Sequence, residues 1–418
     1  MKNKQIQFCK KCLYSEYHPL GITFDDKGIC SGCQIHEEKN KLDWDSRYEK
    51  LKQIVNKYKN KNKNNYDCIV PVTGAGDSYF ILHSVKKLGL NPLVVTYNKY
   101  FNTSVGIRNL SNLRIKFDCD ILYQNINPIS VKKITKYMLS EFGNIYWPVL
   151  AGQTVFPVQM AINYNIPLII WGAHQGIEQV GMYSYEHEVE MTRRYRHDHD
   201  LFGYEADDLI TLNNNLTESD IWQYRYPSDN ELNKFGIKGI YLNNFIRWDP
   251  LEQHIEMVNK FDFLPTSFQR TFDTYDHSDC FNYMNLHDYL KLCKHGYSKV
   301  TDHACREIRF GRINRDQGIH LVKKFELNKP ENLDLFSNWV GINEEGLNFI
   351  INKNKNNFFW NELDVNKWKF KGLSTNLKMK NKIKMNEITN FRHFFIRNYD
   401  EKQEQNYITF GKGYNNEI

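Results

Sequence analysis

The most informative pattern in this chain lies between Asp67 and Phe80, where a short apolar run breaks into a glycine-containing turn and resumes as an amphipathic segment. The pattern predicts a buried strand over Cys68–Val72, a turn over Thr73–Gly76 and a helix over Ser78–Leu88. The first backbone N–H groups of that helix, and the positive end of its dipole, would point into the turn. Such an arrangement favours an anion, and a phosphate in particular.

From Tyr66 onward, short apolar strands alternate with helical patterns, which is typical of a parallel sheet covered by helices. We therefore predict an α/β fold. Further strands are predicted at Pro92–Tyr97, Asp120–Gln124 and Pro167–Gly172, and further helices at Ser104–Lys116, Ile129–Phe142 and Gln153–Asn163.

Ligands of such sheets bind beyond the carboxyl ends of the strands. Three loops should therefore converge on one crevice: Thr73–Ser78, Thr96–Asn98 and Gly172–Gln175. We predict that this crevice binds a nucleotide.

Four cysteines near the N-terminus form two Cys-x2-Cys pairs, Cys9 with Cys12 and Cys30 with Cys33, separated by seventeen residues. Four thiolates at this spacing are typical of a closed tetrahedral zinc site, in which the metal replaces a hydrophobic core. We predict a structural zinc ribbon with no catalytic role for its ligands. A disulfide or redox pair is the alternative interpretation.

Length and composition divide the chain further. At 418 residues it is too long for one compact domain. The predicted units are a zinc ribbon (1–36), a linker helix (37–65), a nucleotide-binding α/β domain (66–215), a mainly helical substrate region (216–345) and a basic extension (346–418).

The sequence also bears on location. The first residues are polar, and no apolar run approaches the length that crosses a bilayer. We therefore expect a soluble, cytoplasmic protein that has no membrane partner.

The segment Thr73-Gly74-Ala75-Gly76-Asp77-Ser78 resembles the Ser-Gly-Gly-x-Asp-Ser loop of the PP-loop ATP pyrophosphatases. The resemblance implies a HUP-like fold that binds ATP, with Asp77 holding Mg²⁺ and Ser78 bonding a phosphate oxygen. It also implies that the backbone of Thr96, Tyr97 and Asn98 meets adenine. Ala75 stands where the family has glycine, and we expect Gly76 to adopt the unusual φ instead. The alternative is an ordinary strand-to-helix turn.

The combination of motifs is similar to the N-acetyl sugar amidotransferases of surface-glycan biosynthesis. The matching segments are the four cysteines, the PP-loop, Trp171 to Glu178, Trp248-Asp249-Pro250 and His295 to His303, and the likeness covers about residues 8 to 325. It implies that ATP and ammonia convert the N-acetyl group of a sugar into an acetamidino group, with release of AMP and pyrophosphate. The sugars concerned are nonulosonic acids, such as pseudaminic or legionaminic acid, or uronic acids of lipopolysaccharide and flagellin glycans. The resemblance further implies that a separate glutaminase subunit supplies ammonia.

Arginines hold the carboxylates of acidic sugars in bidentate fashion, so we expect substrate contacts from Arg193 and Arg194, beside His174 and Gln175. The resemblance brings a later segment back toward the pyrophosphate of ATP. Lys299 and Arg306 are the predicted catalytic cations there, together with Asp77 and Ser78. The alternative for each arginine is a solvated face with local carboxylate partners.

Two other functions are open. The first is tRNA modification by a zinc-ribbon PP-loop enzyme, but residues 1–350 carry no net charge and the basic excess of six lies in residues 351–418. A neutral body does not favour nucleic-acid binding, and thiolating enzymes of this kind generally need paired cysteines near the site. The second is a non-catalytic adaptor with a nucleotide-binding fold, against which Asp77 and Ser78 argue.

Overall fold

The core of the chain is a five-stranded parallel sheet. The structure, a computed structural model, describes residues 6–59 and 66–383. The strands are β1 (Cys68–Pro71), β2 (Pro92–Tyr97), β3 (Ile121–Gln124), β4 (Leu168–Trp171) and β5 (Lys238–Tyr241). They lie in the order β3-β2-β1-β4-β5, all parallel, and the predicted α/β fold is confirmed.

Helices cover the sheet and form most of the remaining structure. They are α1 (Ser31–Lys39), α2 (Trp44–Asn56), α3 (Gly76–Lys87), α4 (Ser104–Phe117), α5 (Pro128–Phe142), α6 (Trp147–Asn163), α7 (Arg193–Tyr195), α8 (Ala206–Leu212), α9 (Glu218–Ile221), α10 (Asp229–Phe235), α11 (Pro250–Phe261), α12 (Asp288–His295), α13 (Lys299–Arg309), α14 (Arg315–Phe325), α15 (Leu333–Val340) and α16 (Glu344–Lys353). A hairpin of β6 (Trp360–Asp364) and β7 (Lys367–Phe370) follows.

The four predicted strands are present, with ends that differ by at most one residue. Their apolar residues form continuous runs because both faces of the sheet are covered. Helices α3, α4 and α11 pack on one face, whereas α6 packs on the other, across β1, β2 and β4. Ile69 and Val70 point to opposite faces and are fully buried.

The sequence did not predict β5. It lies at the edge of the sheet beside β4, with Leu168 opposite Lys238. Residues 172–237 separate the two strands along the chain. Its four residues include Lys238 and Gly239, so they show no strand pattern of their own. The fifth strand therefore comes from the segment that we had assigned to the mainly helical region. The remaining elements of that region, residues 216–345, are helices, from α9 to α15.

The N-terminal and C-terminal units are described only in part. Helix α2 corresponds to the predicted linker helix, whose residues 60–65 lie outside the described part of the chain. Residues 384–418 of the predicted basic extension also lie outside it. Among the residues that are described, no helix is both long enough and apolar enough to cross a bilayer.

A buried ion pair anchors the start of α13. Both Nε and Nη2 of Arg270 donate to Oδ2 of Asp288, at 3.0 and 2.8 Å, and both side chains are almost fully buried. The other oxygen of Asp288 accepts the backbone N–H of Lys299 at 2.6 Å. One carboxylate thus neutralises a buried guanidinium and satisfies an otherwise free donor at the helix N-terminus.

We expect the substitution Asp288→Asn to lower the free energy of unfolding by about 3 kcal/mol, because it leaves the guanidinium of Arg270 buried without a counter-charge. Urea denaturation followed by circular dichroism measures the change. The matched control is Asp207→Asn, which breaks an exposed pair with Arg225 and should cost less than about 1 kcal/mol. Equal effects of the two substitutions would contradict the anchoring role of Asp288.

Candidate active site

The loop between β1 and α3 forms a closed network of hydrogen bonds around its own hydroxyl groups. The backbone N–H of Thr73 donates to Oγ of Ser78 at 2.8 Å, and that of Ala75 donates to Oγ1 of Thr73 at 3.1 Å. Ala75 is the N-cap residue of α3, and it offers the helix no side-chain cap. The start of α3 can therefore donate to a ligand.

The two glycines and the alanine of this loop have distinct roles. Ala75 adopts an extended backbone, with φ −86° and ψ 165°, so its methyl group causes no strain. The expectation that Gly76 takes an unusual φ is wrong, because Gly76 is the first residue of α3 and is not among the residues with positive φ. Gly76 is needed for space instead. A Cβ atom there would lie 1.8 Å from the ring of His254.

The loop opens into a cavity of about 290 Å³ at the carboxyl ends of the strands. Its position is the point where the chain changes direction in the sheet, between β1 and β4, which is where ligands of doubly wound sheets bind. Of the predicted residues, ten line this cavity: Thr73, Ala75, Gly76, Asp77, Ser78, Tyr97, Gly172, Gln175, Lys299 and Arg306.

Asp77 is the carboxylate of the loop, and its pKa is shifted. Its side chain is 44% exposed, and the exposed part lines the cavity. Burial is the main cause that raises its pKa to about 7; the carboxylates of Asp276 and Asp273 add to the shift, whereas Arg306 opposes it. A bound cation would stabilise the ionised form of a carboxylate in such surroundings, as expected of a Mg²⁺ ligand.

Helix α13 brings both predicted cations to the opposite wall of the cavity. Nζ of Lys299 lies 3.9 Å from a carboxylate oxygen of Asp276 and 3.9 Å from one of Asp302. Arg306 is held more tightly, since it donates to Asp273 at 2.5 Å and to Glu307 at 2.7 Å. Two close carboxylates already neutralise the guanidinium, so Lys299 is the cation more available to a ligand.

Asp276 is a further carboxylate of this wall. His303 contacts its Oδ2 at 3.0 Å and His277 its Oδ1 at 3.4 Å. Although burial raises the pKa of Asp276, the interactions with His277, Lys299 and His303 outweigh it and hold the pKa well below the ordinary value; those with His277 and Lys299 contribute most. Asp276 is thus an ionised acceptor that faces the cavity.

The end of β2 borders a second cavity of about 350 Å³, which shares Thr73, Tyr97 and Lys99 with the first. The predicted residues Thr96 and Asn98 line it. Lys99 is buried and paired with Asp279 at 2.5 Å between the two spaces. Gly74 lines neither cavity, but it packs so closely on Gly106 that a Cβ atom would lie 2.5 Å from the carbonyl oxygen of that residue.

The structure does not bring three of the predicted substrate residues to the cavity. His174 is 1% exposed and lies beneath the strand ends, among the rings of three tyrosines. Arg193 and Arg194 are exposed on α7; the first lies over the ring of Tyr226 and the second pairs with Asp198 at 3.5 Å. The local-partner alternative therefore describes Arg194 better than a substrate contact does.

Several cavity residues carry no signal that sequence reasoning used. Tyr14 and His36 come from the cysteine region, and His254 comes from α11. His254 stacks on Tyr275, with ring centroids 4.1 Å apart, and its Nε2 lies 3.8 Å from Asp77. Burial lowers the pKa of His254 to about 4, so the ring is neutral at physiological pH.

The four predicted zinc ligands form one buried cluster. The sulfur atoms of Cys9, Cys12, Cys30 and Cys33 all lie within 4.8 Å of one another. Two of the distances are 3.5 Å, from Cys12 to Cys30, and 3.9 Å, from Cys9 to Cys33. Tetrahedral zinc with Zn–S bonds of about 2.3 Å needs sulfurs about 3.8 Å apart. The cluster therefore fits a closed metal site, and the disulfide alternative is not observed, since all four cysteines are free.

Comparison with known proteins gives one family match. Residues 259–374 match the family model described as LPS biosynthesis protein WbpG-like, C-terminal domain. The matched segment is less than a third of the chain, and it includes α13 with Lys299 and Arg306. No curated protein matches this chain.

Two solved structures show a weak likeness. The NH3-dependent NAD synthetase from Campylobacter jejuni is 14% identical with a TM-score of 0.28, over 46% of this chain and 95% of that chain. The NMN synthetase from Francisella tularensis is 12% identical with a TM-score of 0.26, over 54% and 99%. Both scores are low.

The raised pKa of Asp77 predicts a pH-dependent cost to stability. Its folded pKa of about 7 exceeds the ordinary value of 3.8, so ionisation disfavours the folded state as the pH rises from about 4 to about 7, and fully above that. Asp77→Asn should therefore stabilise the protein at pH 8, by roughly 1 kcal/mol because partial exposure screens the charge, and have no effect near pH 3.

Urea unfolding at several pH values checks this, with Asp45→Asn, an exposed carboxylate on α2, as the control. A variant that is no more stable than the native protein at pH 8 would contradict the raised pKa of Asp77.

Proposed function

We propose that this protein is an ATP-dependent amidotransferase that converts the N-acetyl group of a sugar into an acetamidino group. One observation carries the proposal: the uncapped start of α3 and Asp77 face a single cavity together with Lys299 and Arg306. These groups suit a nucleoside triphosphate with its metal. The helix start can bind an anion, a cation would stabilise the ionised carboxylate, and the two cations can face the phosphates.

The nucleotide would lie along the strand ends. The uncapped start of α3 and the hydroxyl of Ser78 suit the phosphates, and the second cavity beside Thr96 and Asn98 suits the base. Asp77 would hold Mg²⁺, which neutralises phosphate charge when bound. This arrangement of the nucleotide is the one that the PP-loop resemblance implies. The two cavities offer space for its phosphates and its base.

The chemistry requires activation of an amide, which is a poor electrophile. The acetamido oxygen would attack the α-phosphorus of ATP, forming a C–O–P linkage and releasing pyrophosphate, with loss of the amide proton. Ammonia would then attack the imidate carbon, and AMP would leave with the oxygen. Lys299 would stabilise the charge that develops on the departing pyrophosphate; its looser pairing, compared with that of Arg306, supports this role.

The match to a lipopolysaccharide-biosynthesis domain supports a sugar substrate. We propose that this sugar is a nonulosonic or uronic acid and that a separate glutaminase supplies ammonia. We also propose a cytoplasmic location without membrane or nucleic-acid partners. The four clustered cysteines are proposed to hold zinc in a structural role, as a closed set of four ligands requires.

The cysteines argue against the thiolating alternative. All nine of them lie in the described part of the chain, and none lines either cavity. A thiolation mechanism needs cysteine sulfur at the adenylated substrate, so tRNA thiolation receives no support from this site. The adaptor alternative is disfavoured by the ionisable groups that converge on the cavity.

The assay measures pyrophosphate release from ATP and Mg²⁺ with an ammonium salt. It compares N-acetylated nonulosonic acids and nucleotide-linked N-acetyl uronic acids with bulk tRNA, and reads product mass in parallel. Release that depends on the sugar, with a product lighter by about one mass unit, would support amidination, since an oxygen is exchanged for NH. Release only with tRNA would favour the tRNA-modifying alternative, and no release with any substrate would favour the adaptor.

The proposal predicts the effects of two substitutions. Asp77→Ala should abolish pyrophosphate release while leaving the protein folded, and Lys299→Met should lower kcat by about 10²-fold because it removes a cation from the developing charge. The matched control is Lys291→Met. Lys291 also pairs with Asp302, at 2.8 Å, but does not line the cavity, so its loss should change kcat by less than about threefold. Unchanged turnover in Asp77→Ala would contradict the assignment.

A further inference from the structure

The cysteine module, residues 6–39, is built into the wall of the cavity. Tyr14 and His36 of this module line the cavity directly. The hydroxyl of Tyr14 donates to Oδ1 of Asp302 on α13 at 2.7 Å, and both groups are buried. The ring of His36 meets that of Phe310, another lining residue, edge to face at 4.7 Å.

The module also forms hydrogen bonds with the segment that follows β4, residues 176–185. Oγ of Ser31 donates to the carbonyl oxygen of Val180 at 2.7 Å. Nζ of Lys39, which is 1% exposed, donates to Glu178 at 2.7 Å. Glu38 accepts from the backbone N–H of Tyr185 at 2.8 Å. Glu178 lines the cavity, so these bonds hold one of its walls.

Arg309 joins the cysteine cluster to that wall. Its guanidinium Nη1 donates to the carbonyl oxygens of Glu178 and Gln179, at 3.2 and 2.7 Å, while Nη2 lies 3.8 Å from the sulfur of Cys30. The side chain is buried at the end of α13 and lines the cavity. Gly32 leaves room for it, because a Cβ atom there would lie 2.3 Å from Nη2.

A cation in this position has an electrostatic reason. Four thiolates around a divalent metal carry a net charge of about −2, which favours a buried guanidinium beside them. The planar group can satisfy backbone carbonyls and a thiolate at the same time, which an ammonium cannot do as well. The metal cluster, Arg309 and the segment after β4 therefore form one connected unit.

We propose that the cysteine module forms part of the active site and that Arg309 is the positioning residue. Through Arg309, the ordered module keeps residues 176–185 ordered as well. Loss of the metal disorders this wall and the end of α13, while the parallel sheet stays folded. The inference rests on the proposed metal at the four cysteines but on no particular reaction in the cavity.

Hydrogen exchange of the full chain tests the coupling, with metal content measured in the same samples. Removal of the metal by a chelator under reducing conditions should speed amide exchange about tenfold or more in residues 176–185 and 299–309, and leave β1 and β2 unchanged. Faster exchange confined to the cysteine module would overturn the coupling. Faster exchange in the strands as well would overturn its local character.

The variant Arg309→Gln separates this role from metal binding and from the proposed reaction. It should retain its metal and its sheet protection, yet exchange faster in residues 176–185, and Arg309→Lys should restore part of the protection by donating to one carbonyl. The matched control is Arg315→Gln. Arg315 also contacts the module, at the carbonyl oxygen of Cys12, but does not line the cavity.

If Arg309→Gln and Arg315→Gln give the same exchange in residues 176–185, Arg309 is not the positioning residue. Should Arg309→Gln fail to fold, Tyr14→Phe provides a second test, since it removes only the hydroxyl bond to Asp302. That variant should speed exchange in residues 299–309, and unchanged exchange there would overturn the link between module and helix.

Discussion

The neutralisation of buried charge on helix α13 is the interaction on which the rest of this site depends. Five ionisable side chains of this one helix are largely buried: Asp302, His303, Arg306, Glu307 and Arg309. Burying a charge is costly unless a partner lies close by, so the helix can pack only where each group finds one. Those partners come from separate parts of the chain and are thereby drawn together.

The segment before α12 supplies Asp273 to Arg306 and Asp276 to His303, while the cysteine module supplies Tyr14 to Asp302. Glu307 is shared between Arg306 and Arg312, the second of which also reaches Asp249 beside α11. Since α11 packs on α3, this network fixes the distance between the loop that starts α3 and the cations of α13.

The sheet explains where this network meets the loop Thr73–Ser78. Parallel strands end at the same edge, so polar residues that follow β1, β2 and β4 must converge there. That part of the architecture could be predicted from the sequence, because it depends on the local pattern of strand, turn and helix. The loop Thr73–Ser78 and the four cysteines could be recognised in the sequence for the same reason, because each is a local pattern.

The remaining features depend on contacts between distant segments. Strand β5 has too few apolar residues to be detected alone, and its pairing with β4 is not encoded nearby. His254 and Asp276 reach the cavity through tertiary packing alone, and Tyr14 does so because the cysteine module folds back on α13. Arg194 shows the converse: its type suggested a substrate contact, but a neighbouring carboxylate holds it at the surface.

We propose that this cavity joins a sugar amide to the α-phosphorus of ATP. Isotope transfer tests it most directly, with a substrate that carries ¹⁸O in the acetamido carbonyl and with AMP analysed by mass spectrometry. We expect each turnover to place the label in the phosphate of AMP, because the C–O bond breaks when ammonia displaces the nucleotide. Formation of ADP, or label found in inorganic phosphate instead of AMP, would contradict it.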